Sequence, residues 1–125
     1  MLEKLKILWF IDWGEINRKN WAEKERVYYQ KQNKDEYEFF SRRLTWFQGR
    51  PIEELQKNSN IERIGKNKNG YKLNFKVYKK TIRIFGYLDI NHKIFYALLF
   101  LVKKTNQVTL KDLETFKERI KIYEK

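Results

Sequence analysis

Apolar and polar positions alternate with a period of two over residues 71–78, where Leu73, Phe75 and Val77 interleave with Lys72, Asn74, Lys76 and Tyr78. That pattern predicts a strand with one buried face and one polar, unusually basic face. Beyond the connection Lys79-Lys80, the stretch TIRIFGYLD puts Ile82, Ile84 and Leu88 on one face and Arg83, Phe85 and Tyr87 on the other. Residues 93–102 are apolar at almost every position, as in a strand covered on both sides. Three consecutive antiparallel strands are therefore predicted for the C-terminal half.

Elsewhere the period changes. The segment KLKILWFID (residues 4–12) is rich in β-branched and aromatic types and is followed by Gly14, which predicts a first strand. Ile16 to Lys34 is highly polar, anchored by Trp21, Val27, Tyr28 and Tyr29, and fits either a weakly amphipathic helix or a mobile insertion. Tyr37, Phe40, Leu44 and Phe47 then recur at spacings of three and four, laying one apolar stripe along a helix that Gly49 ends. Pro51 suits the first position of a short helix, PIEELQK, with Ile52 and Leu55 inward and Glu53 and Glu54 near the positive end of its dipole. A polar linker follows, NSNIERIGKNKNG. Thr109 and Asp112 form a cap for a last helix striped by Leu113, Phe116, Ile120 and Tyr123. The expectation is an α+β fold over residues 1–125 as one domain: an N-terminal strand and helices, an antiparallel sheet of about four strands, and a C-terminal helix.

Composition narrows the chemistry. With 42% hydrophobic and 17% aromatic residues, the chain has too much core material for a disordered basic tail. Cysteine is absent, so disulfides and thiolate metal sites are excluded and a cytoplasmic location is expected. The longest apolar run, Ile94 to Val102, is far short of the roughly 20 residues a spanning helix needs, so neither a membrane span nor a cleavable signal is expected. The single histidine, His92 in the turn INHK, excludes His-rich zinc sites and reads as a solvated loop residue. Helix-start electrostatics account for Glu53-Glu54 and Asp112-Glu114, Asp89 stands alone in the C-terminal sheet, and no converging carboxylates for two-metal hydrolysis are visible. No phosphate-cradling glycine motif occurs, and no cofactor is implied.

Charge is what singles out the sheet. The net charge is +12, of which residues 1–60 carry +2 and residues 61–125 carry +10, and from Arg63 to Lys104 eleven Lys or Arg face one acid, Asp89. Such asymmetry points to a polyanion, most often nucleic acid, against the alternative of a lysine-rich solvated surface. If the strand faces match, Asn74, Lys76, Tyr78, Arg83, Phe85 and Tyr87 form one basic surface interleaved with rings, a mixture suited to single-stranded RNA. The alternative has Phe85 and Tyr87 beneath the last helix. One of the adjacent Lys103 and Lys104 would point into that surface, unless both serve only as a charged strand end that discourages edge pairing.

The order TIRIFGYLD, KIFYALLFLVKKT and a capped helix LKDLETFKERIKIYEK resembles the phage-derived Gp49-like and HigB-like branch of the RelE/ParE toxin superfamily, over Tyr71 to Lys125. The residues that carry the resemblance are Ile82-Arg83, Leu101-Val102-Lys103-Lys104-Thr105 and Arg119. It implies a strand, two helices, an antiparallel sheet and a closing helix. It also implies the toxin of a type II toxin-antitoxin system, a metal-independent endoribonuclease (mRNA interferase) acting on mRNA at the ribosome and silenced by an antitoxin, often of helix-turn-helix type. Arg83 would stabilise phosphoryl charge, and Lys76 would act as base if burial and neighbouring cations lower its pKa. Tyr78 or Tyr87 would donate a proton or stack a base, and Asn74, Lys72, Lys103 and Lys104 would bind RNA. Where the family commonly has Glu-Leu-Arg the chain reads Lys72-Leu73-Asn74, and residues 14–34 are longer and more polar than the usual first helix. Two rivals remain: a ParE-like gyrase inhibitor on the same fold, and a nucleic-acid-binding module without catalysis.

Overall fold

The computed structural model describes residues 4–9, 21–58, 60–65, 69–103 and 108–121. In chain order these form β1 (Lys6–Leu8), α1 (Trp21–Gln32), α2 (Lys34–Gln48), α3 (Ile52–Lys57), β2 (Ile61–Arg63), β3 (Gly70–Val77), β4 (Lys80–Asp89), β5 (Ile94–Lys103) and α4 (Leu110–Ile120). The fold is α+β, with five strands in the order β1-β5-β4-β3-β2. β1 lies parallel to β5, and every other pairing is antiparallel. The expected sheet of about four strands gains β2, a three-residue strand inside the segment read as a polar linker. Trp21–Gln32 is helical, which settles the open reading for that part of the 16–34 segment, while residues 10–20 lie outside the described residues. Pro51 proves to be the N-cap of α3, one position earlier than expected.

Sequence alternation decides the layers. Leu73, Phe75, Val77, Ile82, Ile84 and Leu88 turn to one face, where the helices α1, α2 and α3 supply Tyr29, Tyr37, Phe40, Phe47 and Leu55. The opposite face holds a smaller cluster, in which Phe85, Leu98 and Leu99 pack against Phe116 and Ile120 of α4. A bulge makes this second cluster. Phe85 pairs with Leu99 and Gly86 with Ala97, so Leu98 is an extra residue and both leucines reach the α4 side. α4 begins with the anticipated capping box, in which Asp112 N–H donates to Thr109 Oγ1 and Thr109 N–H to Asp112 Oδ2, each at 3.1 Å.

β1 pairs with Ile94, Phe95 and Tyr96 of β5, and among the described residues no strand covers the outer edge of β5 beyond Tyr96. Side chains take that role. Phe100 N–H donates to Glu25 Oε1 at 3.1 Å, while Arg119 Nη1 donates to the bulged Leu98 carbonyl at 2.7 Å and to both Glu25 oxygens at 3.1 and 3.3 Å. The Arg119 guanidinium also lies 5.2 Å from the Trp21 ring centroid. Arg119, part of the resemblance, thus ties α1 and α4 to the sheet. Its side chain is 18% exposed and that of Glu25 32%, so the pair keeps part of its strength against solvent. Arg119→Ala and Glu25→Ala are each expected to cost about 2–3 kcal/mol in urea denaturation, with the double variant little worse than either. Full additivity would mean that the two do not act as one clamp.

On the other helical layer, Tyr29 donates to Glu36 Oε1 at 3.0 Å, and Lys80 Nζ reaches the same carboxylate at 3.1 and 3.2 Å. Burial, then the Glu36 carboxylate, push the Tyr29 hydroxyl well above its ordinary value, so it stays a donor and pins α1 to α2 and β4.

Candidate nucleic-acid interface

Register places the basic residues in rows across the α4 side of the sheet. One row is Glu62, Lys72, Phe85 and Leu99; the next is Asn74, Arg83 and Leu101; the third is Lys76, Thr81 and Lys103. Gly70, Tyr87 and Tyr96 form the row before these. The expected matching of faces therefore holds for Asn74, Lys76, Arg83, Phe85 and Tyr87, and Lys72 and Lys103 join them. Lys76 and Arg83 stand in adjacent rows on adjacent strands.

α4 covers only part of this face. Phe85 is 1% exposed, and its ring meets Phe116 edge-on with centroids 5.5 Å apart, so it cannot stack a base; the reading that buries Phe85 beneath the last helix is the correct one. Tyr87 is half-buried and packs against the same cluster, so that reading holds for it in part, and its ring centroid is 6.5 Å from that of Tyr96. Tyr78 is not brought to this face at all. β3 ends at Val77, and the positive φ of 56° at Tyr78 turns its exposed ring onto Phe39 of α2, centroids 5.5 Å apart, on the other layer. Lys104 lies outside the described residues. Lys103 points to the expected face but is ion-paired with Asp112 at 2.9 Å.

What α4 leaves uncovered is the β3 side, where Lys76 is exposed and Lys72 and Asn74 are half-buried. Arg83 sits at the boundary between the covered and open parts. It is 9% exposed, and its Nε and Nη1 are inaccessible with no hydrogen-bond partner. A buried guanidinium without an acceptor is costly, and among the described residues no carboxylate pairs with it. Its nearest cross-strand neighbours are Asn74 and the apolar Leu101, with Lys76 and Lys103 one row away. The row geometry thus concentrates positive charge around a buried cation that keeps Nη2 alone in reach, which suits an anionic partner.

Acids on this face are few, and sequence reading missed the important one. Glu62 stands opposite Lys72, and Asn74 Nδ2 donates to its Oε1 at 2.6 Å. The signal for β2, one apolar residue before Glu-Arg-Ile, is too short to display a period. Asp112, paired with Lys103, is another acid among the described residues. Burial raises its carboxyl, but hydrogen bonds from Lys103 and Thr109 outweigh that and hold it below the usual carboxylate value. A carboxyl lowered in the folded chain contributes stability above its unfolded pKa, near 4, which is lost as pH falls through the folded value. Asp112→Asn should accordingly lose stability at neutral pH and show a smaller difference in urea midpoint between neutral and acid pH; an unchanged acid response would dissociate the cap from this titration.

Asp89 is not isolated as expected. His92 N–H donates to Asp89 Oδ1 at 3.2 Å and the His92 ring nitrogen Nδ1 lies 2.8 Å from Oδ2, closing the exposed β4–β5 turn far from Arg83. Burial acts upward on Asp89, but the contacts with His92 and Asn91 lower it overall. Compared with known proteins, the chain matches no family model, no curated protein and no solved structure. Function must then be argued from the face itself. An open cavity of about 480 Å³ between α1 and β5, lined by Tyr28, Tyr29, Phe100 and Val102 among others, is on the opposite layer and is mostly apolar. Among the described residues no helix is long and apolar enough to cross a membrane.

Proposed function

We propose that the chain is the toxin of a type II toxin-antitoxin pair, a cytoplasmic endoribonuclease that cuts mRNA on the ribosome and is silenced by an antitoxin of helix-turn-helix type. One observation carries this reading: Arg83, nine-tenths buried with Nε and Nη1 unmet, opens toward a strand edge lined by Lys72, Asn74 and Lys76. A phosphodiester oxygen meets the guanidinium at Nη2, the one nitrogen not shut away, and offsets its buried charge. The order of strand, helices, antiparallel sheet and closing helix agrees with what the resemblance to the RelE/ParE superfamily implies.

In the reaction, the RNA 2′-hydroxyl attacks the adjacent phosphorus, leaving a 2′,3′-cyclic phosphate and a free 5′-hydroxyl, with no metal or cofactor taking part. Arg83 binds the phosphoryl oxygens as charge builds on them. Lys72, half-buried, and Lys76, exposed, hold flanking phosphates. Tyr87, half-buried at the end of the face, offers its accessible edge to a neighbouring base. Lys76 is exposed, so the burial on which a role as base depended is missing, and its ammonium is left to hold phosphate or to give up a proton.

The test is expression of the chain and of Arg83→Ala, with growth followed and mRNA 5′ ends mapped. Arrest with new 5′-hydroxyl ends for the parent, and neither for Arg83→Ala, supports the assignment. Arrest without RNA ends but with blocked DNA supercoiling would replace it by the gyrase-inhibiting reading. Salt-sensitive RNA binding with neither arrest nor cleavage would leave a binding module.

A further inference from the structure

An exposed acid on the edge strand of a face proposed to bind phosphate weakens binding, so Glu62 calls for a reason. The simplest one, neutralising the lysine directly opposite, is not what the geometry provides. Among the described residues no ion pair joins Glu62 to Lys72, although they are cross-strand partners. Instead Glu62 leans along the sheet into the next row, where Asn74 Nδ2 holds its Oε1 at 2.6 Å. Asn74 is in turn the cross-strand partner of Arg83. The row of Asn74 and Arg83 therefore lies between a carboxylate reaching in from one side and, one row further on, the ammonium of Lys76.

We propose that Glu62 is the general base of the cleavage reaction and that Asn74 is its positioning residue; this rests on the ribonuclease reading above. In-line displacement at phosphorus needs a proton acceptor beside the attacking oxygen and a donor beside the departing one, with the phosphoryl oxygens held between them. With the phosphate on Arg83, the 2′-oxygen bonds to phosphorus and its proton passes to the Glu62 carboxylate. The bond from phosphorus to the 5′-oxygen breaks, and that oxygen takes a proton from the Lys76 ammonium. Glu62 returns its proton to solvent and Lys76 regains one, so charge and atoms balance over the cycle. A carboxylate held by one amide keeps its second oxygen for this proton, which explains why an amide side chain occupies position 74 beside Arg83.

Glu62→Gln retains the acceptor oxygen facing Asn74 and removes only the basicity. Its cleavage rate constant on a single-stranded RNA is expected to fall about 10²- to 10⁴-fold. Binding of the same sequence with 2′-O-methyl groups should hold or tighten, because a negative charge has left a basic face. The acid limb that a carboxylate base gives the pH–rate profile should vanish as well. Glu62→Asp is expected to recover part of the rate, and Asn74→Ala to lower it while leaving the acid limb in place. If the parent and not Arg83→Ala cuts RNA, and Glu62→Gln cuts at the parent rate with the acid limb intact, the base assignment is overturned and the ribonuclease reading survives. RNA left whole by the parent chain overturns both.

Discussion

Arg83→Met is expected to make the chain more stable and inactive at once. The guanidinium is 9% exposed, two of its three nitrogens are shut away without an acceptor, and its cross-strand neighbour on β5 is the apolar Leu101. Desolvating a cation with no partner opposes folding, so an unbranched apolar side chain of similar length should be preferred by the free protein. By analogy with buried ionic groups replaced by apolar ones, the gain is about 1–4 kcal/mol, read as a higher urea midpoint at unchanged slope. RNA cleavage should fall by 10²-fold or more, since removing one aimed donor from a developing oxyanion costs about that much. Arg83→Lys should recover little, because an ammonium lacks the planar fork. Phosphate or an uncleavable RNA should raise the melting temperature of the parent and leave Arg83→Met unaffected, as expected when a ligand binds only the folded form through that group. A midpoint that drops while cleavage persists would show that Arg83 is a packing residue. The opposition between stability and activity is informative because a residue retained only for the fold would not be left in this state.

Much of this face was legible from alternation alone. The period of two on β3 and β4 assigned Ile82, Ile84 and Leu88 to one layer and Arg83, Phe85 and Tyr87 to the other, and the short connection at Lys79 made Lys76 and Arg83 neighbours. Alternation tells which side a residue faces, and not what lies above it. Phe85 shares the face of Arg83 and yet is covered, because α4 lands on Phe85, Leu98 and Leu99 and stops short of β3. Tyr78 failed for a different reason: counting by twos assumes that the strand continues, and a positive φ at the turn sent the ring to Phe39. β2, and with it Glu62, was hidden because three residues show no period, and they become a strand only by pairing with Tyr71, Lys72 and Leu73. α1 was undecidable for a related reason. It buries only Ala22 and Tyr29, and its attachment depends on Glu25 meeting Arg119 from the far end of the chain. Pairs so distant in sequence leave no local pattern.

Gly86→Ala should be the most damaging single substitution in the sheet. A Cβ at Gly86 would lie 2.2 Å from the Tyr96 carbonyl oxygen and 2.7 and 2.8 Å from two ring carbons of Phe95. Neither neighbour can retreat cheaply. The carbonyl belongs to the backbone of a central strand, and Phe95 is fully buried. The glycine also sits where the register of β4 against β5 shifts, so the strain falls on the bulge that sends Leu98 and Leu99 together to α4 and presents the Leu98 carbonyl to Arg119. Relief by straightening the strands would undo that clamp and shift Tyr87 relative to Arg83. The expected loss is about 3 kcal/mol or more, at the upper end of what overpacking costs, seen as a collapse of soluble yield or a large fall in urea midpoint. Gly65 provides the control. Nothing lies within 4 Å of its Cβ position, and only its φ of +51° favours glycine, so Gly65→Ala should cost about 1 kcal/mol and leave the sheet intact. Equal and small effects at the two positions would remove the close approach at Gly86, and with it the bulged register that sets Phe85 under α4 and leaves Arg83 at the edge of its cover.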